Sequence, residues 1–165
     1  MSPRMRLERS SDCELSITAT IGGPVEAVFE ARTHSEAFQH WWVPASLGMT
    51  LLACEMDVRP QGRYRLVFRH PQVAEPMAFH GRYLEVDRPR RLVWTNEEAE
   101  GAGPVTTVVF EPTLEGGTRL HILDRYPSRD ALDTAWAAGA GGWNEETFAQ
   151  LDAWVSASNK LFTCA

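Results

Sequence analysis

Residues 128–157, the last long stretch of the chain, read SRDALDTAWAAGAGGWNEETFAQLDAWVSA. On a helical wheel of about 100° per residue, most charged side chains from residue 143 onward fall opposite one apolar arc. In an unbroken helix this arc would hold Leu132, Trp136, Trp143, Asn144, Thr147, Phe148, Leu151, Trp154 and Val155. The pattern predicts a long amphipathic helix, and its broad apolar face needs a concave partner.

Two features interrupt this helical pattern. Gly139, Gly141 and Gly142 lie in the middle of the stretch, where each glycine costs roughly 1 kcal/mol relative to alanine. They indicate either a kink or break in the helix, or a close approach by backbone or ligand. Asn144 lies inside the apolar arc, so its amide either bonds to nearby backbone or is free to meet a ligand.

The middle of the chain alternates between apolar and polar residues, which is the period of half-buried strands. In residues 63–70 the side chains of Tyr64, Leu66 and Phe68 share one face, and arginines occupy the other. Similar patterns predict strands at residues 14–21, 49–58, 76–86, 91–96, 105–111 and 118–124. Two short helices are predicted between residues 24 and 43. Short turns join the later strands, which favours an antiparallel sheet.

Together these elements predict an α+β helix-grip fold. A curved antiparallel sheet of six or seven strands would wrap around the long C-terminal helix, with two short helices after the first strand. Where the sheet curls away from the helix, it would leave a cavity. We expect residues 1–12 to form a loose N-terminal arm, residues 13–158 a single domain, and residues 159–165 a tail.

Composition restricts the function. The net charge of −6 argues against a nucleic-acid partner, which needs a basic surface. No apolar run approaches the roughly 20 residues of a membrane span, and no signal-peptide core follows the N-terminus. Cys13, Cys54 and Cys164 are odd in number and widely spaced, which is typical of reduced thiols in the cytoplasm.

The sequence predicts neither a metal site nor a cofactor. No two of its histidines form a pair with metal-ligand spacing on one predicted face, and CxxC and HExxH motifs are absent. The GxSxG nucleophile motif and the GxGxxG and Walker loops are absent as well. His70 is the one histidine whose strand parity points inward, which makes it a candidate general acid or base.

Large aromatic side chains with a few polar groups recur on the predicted inner faces of the sheet and the helix. Such a set forms either an ordinary core or the lining of a small-molecule pocket. On the second interpretation, the candidate ligand-binding residues are Trp41, Tyr64, Phe68, His70, Phe79, Trp94, Phe110, Trp136, Trp143, Asn144 and Thr147.

Within residues 14–155, short motifs occur in a fixed order: AVF at 27–29, WW at 41–42, EMDVRPQGRY at 55–64, FHGRYLEV at 79–86, RLVW at 91–94, VFE at 109–111, GTRL at 117–120 and GW at 142–143. Their order resembles the domain family named after the activator of Hsp90 ATPase, in the START-like or SRPBCC superfamily. The resemblance implies the helix-grip fold, and the superfamily includes lipid carriers, polyketide cyclases and oxygenase domains. Relatives often carry Gly-His just before the Gly-Trp pair, where this chain has Ala138-Gly139.

Three hypotheses of function follow. The first is binding of a small hydrophobic or aromatic molecule in the cavity between sheet and C-terminal helix, without any chemistry. The alternative is a cyclase- or hydrolase-like enzyme for a hydrophobic, polyketide-like substrate, with Tyr64, His70 or Asn144 polarising a carbonyl. The third, a co-chaperone of Hsp90, is implied by the resemblance alone. A symmetric homodimer is the expected assembly if the chain oligomerises.

Overall fold

The computed structural model of the chain describes residues 5–98, 101, 103–137 and 145–163, with side chains of the last segment described as far as residue 157. The strands within these ranges are β1 (Met5–Arg9), β2 (Glu14–Ile21), β3 (Thr50–Met56), β4 (Arg63–Arg69), β5 (Met77–Asp87), β6 (Arg91–Thr95), β7 (Val105–Pro112) and β8 (Thr118–Arg125). The helices are α1 (Val25–Thr33), α2 (Ser35–Trp41), α3 (Arg129–Ala137) and α4 (Glu145–Thr163), with a 3-10 turn at Ala45–Leu47.

The described strands form one antiparallel sheet in the order β1-β2-β8-β7-β6-β5-β4-β3. Strands β3 to β8 are neighbours in sequence as well as in space, since short turns join them. Strand β2 closes the series by pairing with β8. The predicted α+β class with a large antiparallel sheet is confirmed.

The predicted count of six or seven strands is wrong, because the described residues form eight. The additional strand is β1, inside the region for which the sequence predicts a loose arm. Four of its five residues are exposed, so no buried face produces an alternating pattern. Backbone pairing with β2, from Met5 opposite Ala19 to Arg9 opposite Leu15, holds the strand in place.

Strand β5 changes partner along its length, and this bends the sheet. Its first half pairs with β4 and its second half pairs with β6, with a register shift between Tyr83 and Glu85. Such a bulge increases the local twist and curvature of a strand. At Gly81 a Cβ atom would lie 2.1 Å from the Thr95 carbonyl oxygen, so only glycine allows this close approach. The curvature creates the concave face that carries the cavity.

The described residues of the C-terminal stretch form two helices, α3 and α4, so one continuous long helix is not confirmed. The predicted interruption at Gly139, Gly141 and Gly142 falls on residues 138–144, outside the described residues, as do Trp143 and Asn144. The Ser128 hydroxyl caps α3 by accepting a hydrogen bond of 3.1 Å from the Ala131 N–H.

Helix α4 packs against α1, α2 and β2 through one apolar face. Phe148, Leu151 and Val155 are almost fully buried on that face. On its flank, the Gln150 amide donates to the carbonyl oxygens of Trp41 and Val43 and accepts from the Ala45 N–H. These bonds tie α4 to the segment after α2, which forms one wall of the cavity.

Candidate functional site

A cavity of about 180 Å³ opens on the concave side of the sheet. Drug-sized ligands occupy pockets of about 300–1,000 Å³, so this one suits a smaller molecule. Strands β4 to β8, α1 and the loops beside them supply its lining residues, which are Arg32, Trp42, Tyr64, Leu66, Phe79, Trp94, Asn96, Glu98, Pro104, Thr106, Asp124 and Tyr126.

Strand register explains why these side chains converge. Trp94 lies opposite Thr106, and Thr106 lies opposite Asp124, on three adjacent strands. Leu66 likewise lies opposite Phe79 on β4 and β5. Residues directly opposite each other in neighbouring strands point to the same face of a sheet. The side chains of these two sets therefore form a continuous floor of the cavity.

One wall of the cavity is aromatic. Trp42, the C-cap residue of α2, makes edge contacts with Phe79 at 5.7 Å and with Phe68 at 6.0 Å between ring centroids. Phe68 and Phe79 lie 5.1 Å apart, and Phe38 stacks on Trp42 from the side of α2. Edge and offset contacts of this kind fix ring orientation. The wall is therefore rigid and apolar.

A chain of hydrogen bonds forms the opposite, polar end. The Asn96 amide donates to the Pro104 carbonyl oxygen and to Thr106 Oγ1, both at 2.9 Å. Thr106 Oγ1 in turn donates to Asp124 Oδ1 at 2.5 Å. In the described residues Asp124 Oδ2 has no hydrogen-bond partner of its own, and Asp124 lines the cavity. The free oxygen is available to a bound molecule.

Burial changes the acidity of the groups at this end. Asp124 is only 5% exposed, and burial raises the pKa of its carboxyl to about 6, against the opposing effect of the Thr106 hydrogen bond. Burial, together with the charge of Asp124, raises the pKa of the Tyr126 phenol to about 12. Asp124 therefore titrates just below neutral pH, while Tyr126 keeps its proton.

Tyr64 lies between the two ends. Burial is the main cause that raises the pKa of its phenol, and the charge of Glu98 contributes. Its hydroxyl donates to the Thr95 carbonyl oxygen at 2.6 Å. Because that proton is already committed to backbone, Tyr64 contributes mainly ring surface to the cavity.

Arg32 brings a positive charge to the cavity from the last turn of α1. Its guanidinium carbon lies over two rings, 4.3 Å from the Trp94 centroid and 4.9 Å from the Phe38 centroid. Its Nε is buried and has no hydrogen-bond partner among the described residues. Cation–π contacts stabilise such a group, but they leave the Nε–H without an acceptor.

Three of the predicted site residues, Tyr64, Phe79 and Trp94, meet in this cavity, and Phe68 packs directly behind its aromatic wall. His70 lies beyond the end of β4, in a turn where its Nδ1 accepts a hydrogen bond from the Gln72 N–H. It does not line the cavity, so the structure gives no support to its role as acid or base.

The other predicted residues that the structure describes lie elsewhere. Trp41 is fully buried in the core, where its Nε1 donates to the Ala31 carbonyl oxygen, and Phe110 packs on Phe29. Thr147 is buried on α4. Trp136 is 43% exposed and lies near Arg9 on the surface. Trp143 and Asn144 lie outside the described residues.

Several lining residues were not predicted from the sequence, although some of them carry a signal. Asp124 and Thr106 share the inward parity of the apolar residues on β8 and β7, and a carboxyl or hydroxyl at such a position is informative. Arg32 lies four residues after Val28, on the buried side of α1. Trp42 has no such signal, because periodicity does not decide which of two adjacent tryptophans faces the cavity.

The described residues contain no cluster of three or more histidine, cysteine, aspartate or glutamate side chains that could hold a metal ion. None of their helices is long and apolar enough to cross a membrane.

The fold is similar to that of several solved structures. A protein of Rhodobacter sphaeroides has a TM-score of 0.82 at 21% identity, over 93% of this chain and 99% of that chain. Protein Ms6760 of Mycobacterium smegmatis has a TM-score of 0.78 at 23% identity, over 94% and 99%. An AHSA1-like protein of Aeromonas hydrophila has a TM-score of 0.65 at 18% identity, over 88% and 94%. At these identities the similarity shows the fold. No match is found among curated proteins.

A family model decides the relationship. The family described as Activator of Hsp90 ATPase homolog 1-like protein matches residues 23–156. This range contains every residue that lines the cavity, from Arg32 to Tyr126. The resemblance seen in the sequence motifs is confirmed, and the chain belongs to the Activator of Hsp90 ATPase homolog 1-like protein family.

Proposed function

We propose that this protein binds a small hydrophobic or aromatic molecule in the cavity between Trp42 and Asp124. The observation that carries the proposal is the composition of the lining. A rigid aromatic wall faces a few convergent polar groups across about 180 Å³. Ligand pockets combine apolar surface for affinity with a small number of polar groups for orientation, whereas an ordinary core would fill the space with side chains.

A cavity-filling variant tests this proposal. Leu66 lines the cavity from the middle of β4, so Leu66→Phe should occupy the space a ligand needs. Isothermal titration calorimetry with a panel of one- and two-ring aromatics should give binding to the wild type and at least tenfold weaker binding to the variant. Leu52→Phe, on the 47% exposed Leu52 of β3, is the matched control and should bind like the wild type. The proposal fails if no compound binds, or if Leu66→Phe binds as well as the control.

The enzyme alternative is favoured by one observation, Asp124. A buried carboxylate with a pKa of about 6 and a free oxygen facing an apolar cavity suits a general base. It could take a proton from a carbon next to a carbonyl group, with the C–H electron pair moving to the carbonyl oxygen. The proton would return to carbon from the Asp124 acid. Asp124 thus replaces His70 as the candidate general acid or base.

Hydrogen exchange tests the alternative. Small aryl ketones incubated with the protein in D₂O should exchange their α-protons for deuterium, as followed by NMR. The exchange should be lost in Asp124→Asn and should rise with pH around an apparent pKa of about 6. If the protein causes no exchange, the enzyme alternative is refuted and ligand binding is the only one of these two functions that remains. An Hsp90 partnership, which the family description suggests, stays a prediction, as do homodimerisation and a cytoplasmic location.

A further inference from the structure

Arg32 is a charged group in the cavity for which the described part of the chain supplies no counter-ion. None of the ion pairs of the described residues includes it. Two aromatic rings contact its guanidinium carbon, and its Nε is buried without an acceptor. Arginine is a cation with N–H donors only, Arg32 is partly buried, and a buried donor without an acceptor costs free energy.

The ionisable neighbours of Arg32 do not neutralise it. Its charge acts on Cys54, Tyr64 and Tyr83. Burial raises the pKa of all three groups above ordinary values of 9.0 for the thiol and 10.0 for the phenols, so they are uncharged at neutral pH. The dipole at the C-terminus of α1 offers Arg32 only a partial negative charge. None of these three groups supplies a negative charge, and among the ion pairs of the described residues none joins Arg32 to Glu98 or Asp124, the two carboxylates that line the same cavity.

We propose that Arg32 is the anion-binding group of the cavity and that the ligand is a small aromatic carboxylate whose ring lies against Trp42 and Phe79. This inference rests on the proposed binding function and specifies its ligand class. Arginine presents a planar fork of N–H donors that matches the two oxygens of a carboxylate. Nε is one arm of that fork, and it is unoccupied.

Other charges in the cavity favour a carboxylate over a phosphate. Glu98 and Asp124 line the same space as Arg32. A phosphate monoester carries a charge of about −1.5 to −2 at neutral pH, so these two carboxylates would repel it more strongly than a monoanion. The cavity volume of about 180 Å³ limits the remainder of the ligand to a small ring system.

The test compares phenylacetate with phenylacetamide, which has nearly the same shape and no charge, by isothermal titration calorimetry. The wild type should bind the acid roughly 10- to 100-fold more tightly than the amide, the range for hydrogen bonds to charged groups. Arg32→Met keeps the apolar stem and should abolish this preference. Arg119→Met is the matched control, because Arg119 is exposed on β8 and the change in net charge is identical. The control should keep the preference.

Three other outcomes would refute the proposal in part or in full. If the wild type binds acid and amide equally, the cavity function stands and the anion site is refuted. If Arg32→Met keeps the preference for the acid, Arg32 is not the anion-binding group. If neither phenylacetate, phenylacetamide nor the longer pair 3-phenylpropionate and 3-phenylpropanamide binds, the proposed function fails and this inference fails with it.

A second measurement covers the case in which Arg32→Met does not fold. The Nε–H resonance of Arg32 in the ¹⁵N-labelled wild type should shift on addition of phenylacetate, because this N–H gains a charged acceptor. Phenylacetamide at the same occupancy should shift it much less. Equal shifts with both compounds, or no shift with a bound acid, would overturn the assignment.

Discussion

Among single residues, Asp124 and Arg32 distinguish the cavity from ordinary core. Arg32 lies over two aromatic rings, and Asp124 is buried at the polar end of the same cavity. A core without function has little reason to contain them, since apolar residues of the same size would avoid the cost of desolvation. Stability measurements can therefore detect the site without knowledge of the ligand.

Asp124 should make the stability of the protein depend on pH. Its folded pKa of about 6 lies above the ordinary 3.8, so between these values the folded state binds more protons than the unfolded state. The free energy of unfolding should therefore fall as pH rises from about 4 to about 6, by about 3 kcal/mol from this group alone. Asp124→Asn should lack this decrease. Urea denaturation at pH 4, 5, 6 and 7 measures the difference, and equal pH slopes for both proteins would contradict it.

Thr106 should influence the pKa of the Asp124 carboxyl. Its hydroxyl donates to Asp124 Oδ1 and so stabilises the charged carboxylate, which lowers the pKa. Thr106→Val removes the donor, and the pKa of Asp124 should rise further above about 6. Carboxyl ¹³C NMR of the labelled protein gives this pKa directly. Thr107→Val changes the next residue, which points to the other face of β7, and should leave the pKa unchanged. A fall in the Thr106→Val variant would refute the assigned role.

For helices and strands, sequence periodicity predicted most of the fold. The alternation in β4 gave its buried face, because one face of the strand packs on the core. Strand β1 was missed because backbone pairing rather than burial holds it. The apolar face of α4 was predicted from Phe148, Leu151 and Val155, while the continuity of the helix before it was not confirmed.

Packing of α4 against the sheet gives a prediction for Leu151. Its side chain is 1% exposed, and truncating a buried leucine to alanine leaves a cavity. Leu151→Ala should lower the free energy of unfolding by about 2–5 kcal/mol. Chemical denaturation measures this, with Leu52→Ala on exposed β3 as a control that should change stability by less than about 0.5 kcal/mol. A loss of less than 1 kcal/mol at Leu151 would show that α4 does not complete the core.

For the whole molecule, the candidate site was only partly predictable. Periodicity identifies the inner face of a strand, and so Tyr64, Phe79 and Trp94 were found. It does not report which inward residues face empty space, and Trp41 is therefore core while the adjacent Trp42 lines the cavity. That distinction depends on how β5 bends the sheet and how α2 ends, and these are long-range properties.

Fluorine NMR of protein labelled with 5-fluorotryptophan tests the central claim, a ligand-binding cavity between Trp42 and Asp124, most directly. Trp42 and Trp94 line the cavity, Trp41 lies in the core and Trp136 on the surface, so the protein carries its own controls. Addition of phenylacetate or phenylacetamide should shift the Trp42 and Trp94 resonances and leave those of Trp41 and Trp136 nearly unchanged. Unchanged Trp42 and Trp94 resonances at millimolar concentrations of both compounds, or shifts at Trp136 alone, would contradict the account.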